Sequence, residues 1–174
     1  TRKTAFCKMV ARAVLMGGDD IVLTETPAAK VLYIDTEQSD LHAQRSYNDI
    51  VKDLNDEQRG RLQYVKLRRY SQNERLYIIH KLISELRPTL AIIDGVADIL
   101  PDTNSNTDAP VVVNMLMALA SETQAHICTI LHTSAANTSK GRGHIGSELE
   151  RKAESVILIE KQTGADASDV KPQY

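Results

Sequence analysis

The residues of this chain with types and spacing suited to chemistry stand at one helix start and at the ends of three apolar runs. Arg2-Lys3-Thr4 directly precedes a stretch with helical spacing. At a helix N-terminus, free backbone N–H groups and the helix dipole attract phosphate. A lysine there can reach the β- and γ-phosphates, and a hydroxyl can bind Mg²⁺. Taken alone, these three residues read better as a Thr-started surface helix. Val31-Leu32-Tyr33-Ile34-Asp35-Thr36-Glu37 places two carboxylates at and just past an apolar run, where one can polarise an attacking water. Alternatively, they solvate the strand end or cap the next helix. Leu90-Ala91-Ile92-Ile93-Asp94-Gly95 ends in an aspartate that can support Mg²⁺, and its glycine permits close backbone approach. Ile127 to Thr133 carries His132 at its end, where a polar side chain can sense a terminal phosphate. A lone histidine in that place is more often structural.

Short elements have to position these groups. Phe6, Met9, Val10, Ala13 and Val14 recur at helical spacing, and Gly17-Gly18 stop that helix. Residues 31–35, 62–67, 90–94 and 126–131 read as strands, and Ser155 to Glu160 reads as a fifth. Ser39 is placed to cap a helix running to about Leu54. Ser71-Gln72-Asn73-Glu74 is a capping box opening a helix through Leu86, which Arg87-Pro88 ends. Pro101 to Asp108 reads as a mobile polar loop. Pro110 suits the first turn of a helix to about Glu122. Thr133 to His144 reads as a second polar loop, and Gly146 to Ala153 as a short helix. Strands alternating with helices at this spacing imply an α/β fold, with a mostly parallel central sheet and helices on both faces. In such sheets ligands bind beyond the carboxyl ends of the strands, where Asp35, Glu37, Asp94 and His132 fall.

Composition narrows the classes. A chain of 174 residues supports one domain, over 1–174, with a substantial core. Aromatics are scarce, so the core must be aliphatic, as in buried parallel sheets. A net charge of −2 gives no global attraction to nucleic acid or to anionic membrane. No apolar run is long enough for a membrane span, and no signal peptide is visible. Cys7 and Cys128 have no metal-like spacing and read as reduced thiols of a cytoplasmic protein. Both ends read as cut, and the chain is expected to be a fragment of a longer one.

Lys-Thr at a helix start, strand-D-T-E, strand-D and strand-H occur in that order at crossover-length gaps. At this point the sequence resembles the RecA-like branch of P-loop ATPases, over nearly its whole length. Within that branch it is most similar to the group holding the hexameric helicase RepA and related AAA-type ATPases of bacterial plasmids and mobile elements. Tyr33-Ile34-Asp35-Thr36-Glu37-Gln38-Ser39, Leu131-His132-Thr133 and Gly143-His144-Ile145-Gly146-Ser147 carry the likeness. The resemblance implies ATP and Mg²⁺ as ligands, with Arg2, Lys3 and Thr4 at the phosphates and Thr4 and Asp94 at the metal. It implies Glu37 as catalytic base and His132 as γ-phosphate sensor. Arg2 stands where the family usually has Gly, and the strand and glycines that precede the family's Lys are not in the sequence given. The family's basic finger, supplied by a neighbouring subunit of a ring or hexamer, finds only Lys161 as a candidate.

The resemblance also places a loop that contacts single-stranded nucleic acid at Thr133 to His144, which carries Lys140 and Arg142. That loop has no aromatic for base stacking, and two basic residues there read more simply as solvated surface. Three functions follow as alternatives. The first is an ATPase working on DNA in a helicase-like, plasmid-replication or mobilisation role. The second is a regulatory or scaffolding ATPase without nucleic acid. The third is an α/β binding domain whose motifs coincide by chance.

Overall fold

The computed structural model describes residues 2–18, 29–133 and 141–160. The elements run α1 (Arg2–Met16), β1 (Val31–Asp35), α2 (Asp40–Val51), α3 (Asp56–Gly60), β2 (Leu62–Lys66), α4 (Gln72–Leu86), β3 (Leu90–Asp94), a 3₁₀ turn (Val96–Ile99), α5 (Asp108–Thr123), β4 (His126–Ile130) and α6 (Gly143–Lys152). The four strands form one sheet in the order β2-β1-β3-β4, every pairing parallel. The α/β fold class is therefore as the sequence implies.

β1 and β3 are buried at every position, as strands covered on both faces must be. Alternation sorts their side chains into two cores. Val31, Tyr33 and Ile92 face Cys7, Ala11 and Leu15 of α1 and Ile50 of α2. Leu32, Ile34, Ala91 and Ile93 face Ile79 and Ile83 of α4 and Val112, Leu116 and Leu119 of α5. Cys128, on β4, packs at the edge of the first core, to which Cys7 also belongs. Both thiols are free. Register aligns Asp35 of β1 with Asp94 of β3, so the two strand-end acids sit side by side.

Local signals explain the boundaries. Ser71 caps α4 as a full capping box, with Glu74 reaching back to the Ser71 N–H at 2.8 Å. Arg87 closes the helix in a left-handed conformation. Gly17 and Gly18, both at positive φ, return their N–H groups to Val14 and Ala13 at the end of α1. Pro110 lies in the first turn of α5.

Several expectations are corrected. The face of α1 that is fully buried is Thr4, Cys7, Ala11, Ala13 and Leu15, while Met9 is exposed. The helix is apolar on most of its circumference, and its small residues permit the closest approach to the sheet. Ser39 occupies the N-cap position of α2 without making a side-chain cap bond, and α2 stops at Val51. A separate turn, α3, follows under an Asn55 capping box. A 3₁₀ turn, Val96–Ile99, follows β3 where the sequence pattern marks no element. The loop at Pro101 to Asp108 is fastened locally, with Asn104 N–H donating to Asp102 Oδ1 at 2.8 Å and Ile145 N–H to the Thr103 carbonyl. α6 begins at Gly143, three residues before the sequence suggests. Ser155 to Glu160 is not a strand: Val156 and Ile157 are 62% and 67% exposed. An apolar run becomes a strand only where another strand offers it hydrogen bonds, and β4 pairs only with β3 among the described residues.

Candidate active site

The buried face of α1 begins at Thr4, because residues 4, 7, 11 and 15 stack along one side of the helix. The same packing that seats Cys7 and Ala11 on the sheet therefore delivers the Thr4 hydroxyl to the end of β3. Thr4 Oγ1 donates to Asp94 Oδ1 at 3.4 Å. Arg2 and Lys3 lie in the same first helical turn, Arg2 exposed and Lys3 partly buried. Asp94 has a second donor. Tyr33, on the neighbouring strand and the same face, gives its hydroxyl to Asp94 Oδ2 at 2.9 Å. Burial pushes the Asp94 carboxyl up from its ordinary range, and the Tyr33 and Thr4 hydroxyls oppose that shift. Burial, reinforced by the Asp94 charge, raises Tyr33 as well, so it remains a hydrogen-bond donor.

The two acids of Asp35-Thr36-Glu37 have different lives. Asp35 Oδ1 accepts the backbone N–H of Glu37 at 3.1 Å and of Gln38 at 2.9 Å. Its Oδ2 accepts the Tyr64 hydroxyl at 2.8 Å, and the Tyr64 ring stacks on Tyr33 with centroids 5.1 Å apart. Asp35 is thus committed to shaping the turn. Glu37 projects from that turn, and its Oε2 lies 3.8 Å from His132 Nε2. Partial burial first, and then the neighbouring Asp98 charge, raise the Glu37 carboxyl, with His132 opposing. A carboxylate raised in this way is a better proton acceptor near neutral pH.

β3 lies between β1 and β4, so Glu37 reaches His132 only by passing over the end of β3. Gly95 makes that passage. Its φ is +104°, and a β-carbon there would meet the Thr36 hydroxyl and lie 2.7 Å from Glu37 Cγ. The Thr36 hydroxyl in turn faces the carbonyls of Asp94 and Gly95 and the Asp98 carboxylate, all within 3.0 Å. His132 is held from the other side, since its carbonyl accepts the Arg142 N–H at 2.9 Å. Arg142 itself is exposed, at the N-cap of α6; Lys140 and Lys161 lie outside the described residues.

The Thr4 hydroxyl and the Asp94 carboxylate are hard oxygen donors facing one another, among carboxylates that raise one another's pKa. That donor set fits Mg²⁺, which keeps several waters and takes few protein ligands. Sequence reasoning missed Tyr33, Thr36, Asp98 and Arg75. A tyrosine inside a buried strand was a usable signal, because its hydroxyl must find a partner there. Arg75 gave no such signal: its guanidinium donates to the carbonyls of Leu67, Arg68 and Asp98 at 3.0, 2.8 and 2.8 Å, groups that only the fold brings together. A cleft of about 570 Å³ between α5, β4 and residues 149–155 touches none of these groups.

A family model described as an AAA domain matches residues 1–138. Neither a curated protein nor a solved structure matches the chain. No helix among the described residues is long and apolar enough to cross a membrane.

Proposed function

The chain belongs to the AAA-domain family of ATPases, and from that premise we propose that it binds ATP with Mg²⁺ at the start of α1 and hydrolyses it with Glu37 as base. In this reading Lys3, with Arg2 beside it, meets the β- and γ-phosphates. Thr4 and Asp94 hold the metal, which would neutralise charge on the phosphates. Glu37 orients a water and takes its proton, and His132, within reach of Glu37, responds to the terminal phosphate. The observation that carries the reading is a convergence: Thr4 with Asp94, and Glu37 with His132, meet at one end of one sheet from positions about ninety residues apart.

The likeness of the Leu131-His132-Thr133 segment to the RepA group supports a role on nucleic acid, helicase-like or in plasmid or mobile-element replication and mobilisation. It supports a ring or hexamer whose neighbouring subunits complete each site, and a cytoplasmic setting. The test is a pair of substitutions. Glu37→Gln is expected to keep ATP binding and to lower turnover by roughly two to four orders of magnitude, whereas Lys3→Ala is expected to weaken binding itself. Undiminished turnover in Glu37→Gln would place the base elsewhere. Stimulation of turnover by single-stranded DNA tests the nucleic-acid role separately.

A further inference from the structure

A second cleft, about 530 Å³, opens at the carboxyl end of β2 and is lined by Gln38, Asp40, Lys66, Arg68, Arg69 and Tyr70 among others. It lies beside the Glu37 turn and has no part in the phosphate and metal chemistry. Three cations and one carboxylate line it. Asp40 takes Lys66 Nζ at 2.9 Å and Arg69 Nη2 at 2.5 Å, and these partners hold it below the usual carboxylate range. The Arg68 side chain is exposed and has no acidic partner among the described residues. The cleft therefore carries surplus positive charge on a chain whose net charge is negative.

Two further features separate this cleft from ordinary charged surface. The first is an aromatic ring. Tyr70, in the cleft wall, is 45% exposed. It stacks on no other ring among the described residues, unlike Tyr33, Tyr47 and Tyr64. The second is rigidity of display. Arg75 pins the carbonyls of Leu67 and Arg68, and the Tyr70 N–H returns to the Leu67 carbonyl at 3.0 Å. The segment bearing Arg68, Arg69 and Tyr70 is thereby built, rather than left loose. In the cleft wall, Gln38 Nε2 is a buried donor with no acceptor among the described residues.

Positive charge along a built segment and an exposed ring for a base together suit a single strand. Bases in a duplex are already stacked on one another and have no use for a tyrosine face. We propose that the cleft between the start of α2 and the end of β2 binds single-stranded nucleic acid, with Lys66, Arg68 and Arg69 on phosphates and Tyr70 under a base. This rests on the nucleic-acid part of the function proposed above, but not on ATP hydrolysis. Arg75 also donates to the carbonyl of Asp98, whose carboxylate faces Thr36 beside Glu37, so an occupied cleft adjoins the base through one guanidinium.

The experiment is fluorescence anisotropy of labelled (dT)₂₀ on the full chain without nucleotide, across a salt series. Wild type, Arg68→Glu/Arg69→Glu, Tyr70→Ala, Tyr70→Phe and Arg142→Gln are compared, with melting curves to confirm folding. Wild-type binding is expected to weaken steeply with salt. The double charge reversal is expected to lower affinity at least about tenfold and to flatten the log–log slope, by about 0.7 for each phosphate left without its cation. Tyr70→Ala is expected to lower affinity roughly five- to hundredfold with the slope unchanged, and Tyr70→Phe to restore it. Equal affinity for a duplex of the same length, or Tyr70→Ala binding as wild type, overturns the proposal. If only Arg142→Gln loses binding, the strand lies on the other loop: the cleft is refuted and the nucleic-acid role survives. If wild type does not bind at all, both fall.

Discussion

Gly95→Ala tests the geometry on which the candidate site depends. The residue sits at φ +104°, ψ 50°, a conformation that costs an L-residue about 1–2 kcal/mol. The added β-carbon would also press on the Thr36 hydroxyl and on Glu37 Cγ. Thr36 has one proton to donate, shared among two carbonyls and Asp98 within 3.0 Å, so displacing it costs about one buried hydrogen bond, roughly 1 kcal/mol. The sum is a loss of about 2–3 kcal/mol, or roughly 4–12 °C in Tm for a chain of this size. Turnover should fall further than stability implies, because a displacement of the base by about 1 Å can cost a hundredfold. Urea unfolding and ATP turnover measure the two effects. A double-mutant cycle identifies the cause. Thr36→Ala removes the hydroxyl that the new methyl meets, so Thr36→Ala/Gly95→Ala should cost less than the two single changes together, by about 1 kcal/mol. Strict additivity, or a Gly95→Ala protein within about 0.5 kcal/mol of wild type, would refute the account of how Glu37 crosses β3.

Other consequences follow from the same groups. Glu37 must be deprotonated to act, and its pKa is raised, so the acid limb of the turnover profile should lie above the ordinary carboxylate range; Asp98→Asn, by removing a like charge, should move that limb to lower pH. His132→Gln should move it the other way where the imidazolium is present. At 3.8 Å in a water-like dielectric that interaction is about 1 kcal/mol, so the displacement should be just under one pH unit. Tyr33→Phe removes a donor from buried Asp94 and should cost about 1.5–3 kcal/mol at neutral pH by chemical unfolding. Because the folded pKa of Asp94 is raised, its ionisation works against stability as pH rises; the Tyr33→Phe deficit should shrink in acid, where Asp94 is protonated and its need for donors falls. Asp35→Asn, which alters a carboxylate that accepts three hydrogen bonds, should lower stability and, because the Asp35 charge also raises Glu37, move the acid limb to lower pH by less than Asp98→Asn does.

Much of this was legible in the residues, for identifiable reasons. The runs at 31–34 and 90–93 are apolar because both of their faces are covered, and the acid that ends each is met by hydroxyl or backbone donors at the strand end. Ser71 and Glu74 announce a helix start that needs no tertiary help. The failures lie where local pattern needs a partner to mean anything. Val156, Ile157 and Leu158 have strand composition but no strand beside them among the described residues. Ser39 stands at a helix start but leaves its capping bond unmade. The apolar circumference of α1 offered several faces, and only the sheet selects the one bearing Thr4 and Cys7.

The site shows the same division at closer range. Spacing along the chain puts Asp35, Glu37, Asp94 and His132 at strand ends, but it does not say which strands are neighbours. The observed order places β3 between the strands that end in Glu37 and His132. Those two side chains could meet only over the end of β3, and any residue larger than glycine at position 95 would stand in the way. Asp35, two residues earlier at the same strand end, cannot substitute: its two oxygens hold the turn that aims Glu37. The motif strand-D-T-E therefore reads as three jobs in three residues, a turn anchored by Asp35, a hydroxyl packed against Gly95 by Thr36, and a reach across β3 by Glu37. The glycine after Asp94 belongs to that motif as much as its own acid does, although it stands 59 positions along the chain from Thr36.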